Sequence, residues 1–124
     1  MVDVDTIDRF RDSIKSKTIR MIKADVEGWE LDVLKGGEKL LSTSNAPILC
    51  IEYSVSYSPR REQLHDVYDF IRNINNYQFF KLKNGKETIS PLTRITSIAD
   101  LPKHDNIFCF LPHHITEIGE KIFE

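Results

Sequence analysis

The chain is 124 residues long, 40% hydrophobic and 29% charged, the make-up of one small globular domain rather than of a disordered or collagen-like polymer. Seventeen Lys and Arg against nineteen Asp and Glu leave a formal net charge of -2, which excludes a nucleic-acid binder driven by phosphate neutralisation and a polybasic membrane-surface protein. Its apolar runs are short, such as Ile107-Phe108-Cys109-Phe110-Leu111, far below the roughly 18 residues that a transmembrane helix needs.

The start, Met1-Val2-Asp3-Val4-Asp5, is acidic and reads as neither a secretory signal nor a transit peptide. The expected compartment is therefore cytoplasmic. Ile7, Phe10 and Ile14 recur at helical spacing, with Thr6 as a plausible N-cap, so residues 6–14 are expected as a helix. Residues 18–25 are rich in β-branched and apolar side chains and read as a strand. A helix follows over residues 27–41, broken or capped at Gly36-Gly37, with Trp29, Leu31, Val33 and Leu34 as its apolar surface. Trp29 is expected in the core.

Pro47 opens a continuous apolar run over residues 48–53, the pattern of a strand buried on both faces. Leu64, Val67, Tyr68, Ile71 and Ile74 predict a helix over residues 59–76, with Pro59 in its first turn. Residues 78–82 read as a strand, Asn84-Gly85 as a hairpin turn and residues 87–90 as the returning strand. A helical turn at residues 98–101, a second apolar strand at residues 106–111 and a short helix through Ile115, Ile118 and Ile122 complete the chain. Cys50 and Cys109, each inside an apolar run, are expected as buried free thiols in a reducing compartment.

This alternation predicts an α/β sheet with helices on its faces, mostly parallel with an antiparallel edge contributed by the late hairpin. Ligands of such sheets bind outside the carboxyl ends of the strands. Two strands here end in acids, one at Asp25-Val26-Glu27-Gly28 and one at Glu52-Tyr53. If the two strands are adjacent and parallel, a spacing of roughly 4.8 Å brings these acids together. They could then hold a ligand amine, act as a general base or hold a divalent cation. The competing reading makes Glu27 a helix cap and Glu52 a solvated strand end.

Other candidates carry less. His65 lies on the polar flank of a helix and His104 in a loop close to Pro102. His113 and His114 are adjacent, and side chains adjacent on an extended segment point apart, which disfavours joint chelation of a metal. Arg60-Arg61 could meet an anionic group or form a solvated loop tip. No phosphate loop, no Ser-His-Asp arrangement with elbow glycines and no metal-ligand pair at helical spacing is present.

The run Ile22-Lys23-Ala24-Asp25-Val26-Glu27-Gly28-Trp29-Glu30-Leu31-Asp32-Val33-Leu34-Lys35-Gly36-Gly37 resembles the signature of the FkbM-type methyltransferases. The flanks are similar too: Val4-Asp5-Thr6-Ile7-Asp8-Arg9-Phe10 resembles the segment before that signature, and Pro47-Ile48-Leu49-Cys50-Ile51-Glu52 the strand after it. The resemblance is close from about Val4 to Glu52 and beyond that rests on element order. It implies a Rossmann-like class I methyltransferase sheet, S-adenosylmethionine as methyl donor, and a hydroxyl acceptor on a sugar or natural-product-like small molecule. It further implies Asp25, Glu27 and Glu52 as catalytic residues and Asp25, Val26 and Glu27 as cofactor-binding residues. A metal is not required, although Asp25 and Glu52 leave room for a divalent one.

The five glycines, Gly28, Gly36, Gly37, Gly85 and Gly119, form no Gly-rich cofactor loop. On the family pattern, residues 1–124 are then expected as a single partial domain, the C-terminal half, without the first three strands. Strand 18–25 would become an edge open to a second copy or a partner chain. The alternative function is a non-catalytic binding or assembly module derived from that fold.

Overall fold

The hydroxyl of Thr6 accepts the Arg9 N–H at 3.2 Å, and that capping bond starts the first helix, α1 (Ile7–Ile14), where the spacing of its apolar residues predicts it. The computed structural model describes residues 5–14, 17–54, 64–85 and 90–123. The chain continues as β1 (Met21–Ala24), α2 (Glu30–Lys35), α3 (Glu38–Leu41), β2 (Ile48–Ser54) and α4 (Leu64–Ile74). It ends as β3 (Gln78–Leu82), β4 (Leu92–Ile95), a 3-10 turn at Ile98–Asp100, β5 (His104–Phe110), α5 (Pro112–Ile118) and a 3-10 turn at Glu120–Ile122.

The helix expected over residues 27–41 splits at Gly36-Gly37, as the two glycines suggest. A Cβ on Gly36 would stand 3.3 Å from the Thr6 side chain, and one on Gly37 would stand 3.2 Å from that of Ile7. The glycines thus let α1 cross directly over the break. Asp8 completes the joint. Its carboxylate accepts the N–H groups of Lys39 at 3.0 Å and Leu40 at 2.9 Å, the amides that a capping side chain at Gly37 would take.

Among the described residues, five strands form one sheet in the order β1-β2-β5-β3-β4. Among the described strands, β1 and β2 pair in parallel, while β2 with β5, β5 with β3 and β3 with β4 pair antiparallel. This corrects the expectation of a mostly parallel sheet with antiparallel pairing confined to an edge. The physical reason is that β2 and β3 run the same way but are not neighbours, and the returning β5 fills the gap between them. A near-continuous apolar run reports burial on both faces and carries no information about strand direction. The hairpin does supply an antiparallel edge, in which Leu92–Ile95 pairs with β3; of the returning strand expected at residues 87–90, only Ser90 is among the described residues. Positions 86–89 lie outside the described residues, as do Pro59, Arg60 and Arg61. Within the described sheet β1 is the other edge, as expected.

One face of the sheet carries the larger core. Ala24, Leu49, Ile51, Tyr53, Phe79, Ile107 and Cys109 pack there against Leu34 and Leu41 of α2 and α3 and Tyr68 and Ile71 of α4. Tyr77 is buried in the same core and its hydroxyl donates to the Pro47 carbonyl at 2.6 Å. The second face is covered by a smaller group in which the rings of Phe80 and Phe110 meet Phe123 at 4.8 and 5.2 Å. Both cysteines are buried and free, as expected.

Candidate acidic site at the strand ends

The expected adjacency holds. β1 and β2 are parallel neighbours with Ala24 opposite Ile51, so Asp25, the next residue, falls beside Glu52. Glu52 in turn faces Asn106 across the antiparallel pair of β2 and β5, two residues from the pair Ser54 and His104. Asp25, Glu52 and Asn106 therefore lie in a row across three strands at the carboxyl ends of β1 and β2. The burial of the Cys50 thiol, one pleat below Glu52, pushes its pKa up; the Lys23 ammonium opposes this, and the carboxylates of Asp105 and Asp25 reinforce it.

Glu52 is not the solvated strand end of the competing reading. Its side chain is 17% exposed, and its Oε1 lies 3.9 Å from Nδ1 of His104. An imidazolium at that distance would pair with the carboxylate. Residue 104 belongs to β5 rather than to a loop, because the alternation His104, Asn106, Phe108 and Phe110 runs unbroken back to it. That period-2 pattern was the available sequence signal, and Pro102 two residues earlier obscured it.

The loop after β1 has a specific geometry. Asp25, Val26 and Glu27 are exposed. Glu27 has φ +49 and Gly28 has φ +101, and the Trp29 N–H donates to the Val26 carbonyl at 3.3 Å. Positive φ at both central residues is the sign pattern of a type I′ turn. Glycine adopts it freely. A glutamate pays roughly 1–2 kcal/mol for left-handed backbone. Glu27 does not cap the helix either. The helix starts at Glu30, and its N-cap is Trp29, which makes no side-chain capping bond.

Trp29 is 52% exposed, which corrects its expected place in the core. Because the helix begins one residue later, Trp29 stands outside the stripe through Leu31 and Leu34 that faces the core. The sequence reading also passed over Glu30. It is 7% exposed, and its Oε2 accepts the Val26 N–H at 2.7 Å while its Oε1 accepts the Gly28 N–H at 3.0 Å. The signal was an acid two residues after a glycine at a strand-to-helix junction.

Elsewhere, a cavity of about 480 Å³ at the opposite end of β1 is lined by Arg20, Pro47, His113, His114 and Ile118 among others. His114 is held within its own helix start. Its Nδ1 accepts the Leu111 N–H at 2.9 Å, and its ring lies 4.2 Å from that of His113. Among the described residues no group of three or more His, Cys, Asp or Glu is placed to hold a metal ion. Among them, too, no helix is long and apolar enough to cross a membrane.

Chemically, the strand ends offer carboxylates at Asp25, Glu27 and Glu52, an imidazole at His104 and an amide at Asn106. Such a set accepts hydrogen bonds from hydroxyl and ammonium groups and suits a ligand carrying positive charge. The model of one protein family, described as the methyltransferase FkbM domain, matches residues 1–79, from the amino end into β3. His104 and Asn106 lie beyond that match. No curated protein and no solved structure matches the chain.

Proposed function

The chain belongs to the FkbM methyltransferase family, and from that premise we propose that it forms the acceptor side of an S-adenosylmethionine-dependent O-methyltransferase. The observation that supports this reading is the register that sets Asp25 beside Glu52 at the carboxyl ends of two parallel neighbours, with Glu27 in the loop that follows Asp25. Ligands of α/β sheets occupy that position. When bound, S-adenosylmethionine supplies an electrophilic methyl group on a sulfonium. Asp25, Val26 and Glu27 would hold the cationic methionine part, to which the negative strand ends are suited. Asp25, Glu27 and Glu52 orient the hydroxyl of a sugar or natural-product-like acceptor, and one of them takes its proton. Alignment of the hydroxyl supplies much of the rate, since methyl transfer depends on in-line geometry. The adenosine part of the donor is assigned to no residue of this chain, in keeping with a partial domain. Two buried free thiols fit a cytoplasmic setting.

Calorimetric titration of the chain with S-adenosylhomocysteine tests the proposal. Binding that Asp25→Asn weakens supports it. A folded chain that shows no binding removes the donor site from these residues.

The edge position of β1 favours a second reading, a binding or assembly module. An edge strand presents unpaired backbone groups to another chain. A second copy or a partner chain pairing along residues 18–25 would be seen as a dimer in sedimentation equilibrium, and a monomer at high concentration would refute it.

A further inference from the structure

We propose that Glu30 is a positioning residue that locks the acidic loop in its working shape. The inference rests on the acceptor-site reading for its functional consequence, and on the loop geometry alone for its structural content. Both oxygens of the buried Glu30 carboxylate are engaged, one by Val26 N–H at 2.7 Å and one by Gly28 N–H at 3.0 Å. These two amides flank Glu27, the one non-glycine residue with positive φ among those described. A residue with a Cβ leaves that region when nothing holds it there. The turn bond from Trp29 N–H to the Val26 carbonyl is 3.3 Å long, weaker than either bond to Glu30.

The carboxylate is therefore what makes the turn persist. It keeps Glu27 between two fixed amides and sets the direction in which the chain leaves Asp25. Glu30 is buried with both oxygens turned to the loop amides, so its assigned role is to position the loop rather than to contact the acceptor. Glutamine cannot replace it. Its amide offers one acceptor, and its NH2 group would confront the other backbone N–H.

The loop can be read directly by NMR on the 15N-labelled chain. In the parent, the Val26 and Gly28 amides are expected downfield and protected from exchange. In Glu30→Gln both lose about tenfold or more of their protection, and the Glu27 φ-dependent couplings move to negative φ. The core amides of Leu49 and Ile107 keep theirs. Adding Glu27→Gly to Glu30→Gln restores protection of the Trp29 amide, because glycine holds positive φ without the carboxylate.

Protection at Val26 and Gly28 within twofold of the parent in Glu30→Gln would overturn the proposal. If Glu30→Gln fails to fold, a folded double variant supports the proposal. An unfolded double variant overturns it and makes Glu30 a general folding requirement. With S-adenosylhomocysteine as probe, Glu30→Gln is expected to weaken binding about tenfold although Asp25, Glu27 and Glu52 are themselves unsubstituted. A parent chain that shows the locked loop but no binding defeats the donor-site reading and leaves the lock standing.

Discussion

Asp8 offers a sharp quantitative test of how the amino-terminal segment is fastened. Asp8→Ala removes the carboxylate that serves two amides of α3 across 31 and 32 residues of sequence. Lys39 is exposed, so water can take over its N–H, and the loss there resembles that of an ordinary N-cap, about 1 kcal/mol. Leu40 is 6% exposed, and its stranded N–H costs at least about 1 kcal/mol more. The expected destabilisation is about 2 kcal/mol. With a urea slope of about 1.5 kcal/mol/M, this moves the midpoint down by about 1.3 M. Asp8→Asn retains one acceptor oxygen and should lose about half as much. Urea titration followed by circular dichroism measures both. A midpoint for Asp8→Ala within about 0.3 M of the parent at unchanged slope would refute the reasoning.

Two further outcomes follow from the same structure. Gly37→Ala places a Cβ at 3.2 Å from three atoms of Ile7, so α1 must move, and a loss of about 1–2 kcal/mol is expected in the same titration. A variant as stable as the parent would show that α1 yields freely. His114 predicts acid sensitivity. Burial first, and then the neighbouring His113, hold its pKa below the usual 6.5, while Glu117 opposes them. Below about pH 6.5 the unfolded chain takes up a proton that the folded chain resists. Stability from this group is thus full above that pH and is lost as pH falls through the folded value. Protonation also costs Nδ1 its bond from the Leu111 N–H. Urea midpoints from pH 8 to 5 should fall, and His114→Gln should flatten the slope; an unchanged slope would assign the titration elsewhere.

The elements of this fold were legible because their apolar residues repeat at 3 to 4 or at 2. Helical spacing placed α1 and α4, a continuous apolar run placed β2, and the paired glycines placed the break at Gly36-Gly37. Sheet direction was not legible, since β2 and β5 are buried on both faces and would show the same apolar run in either orientation. At the candidate site, the acids at Asp25, Glu27 and Glu52 were visible as strand ends. Glu30 was not, because its function is to bond backbone amides that the sequence does not display. His104 was hidden for a different reason: its partner Glu52 lies 52 positions away, and only the β2–β5 register brings them together. Asp8 was likewise masked by distance. Its bonds to α3 fasten the segment before the signature to the helix that directly follows it.

The placement of β5 also dictates the order of events when the chain is made. The strand that fills the centre of the sheet is the last of the five to leave the ribosome. Until residues 104–110 emerge, β2 has no neighbour on that side, β3 has only β4, and the core lacks Ile107 and Cys109. The parallel pair and the hairpin can form early as separate pieces, yet the sheet closes only when residues 104–110 are available. A nascent chain stalled before His104 therefore exposes two unpaired strand margins to whatever surrounds it.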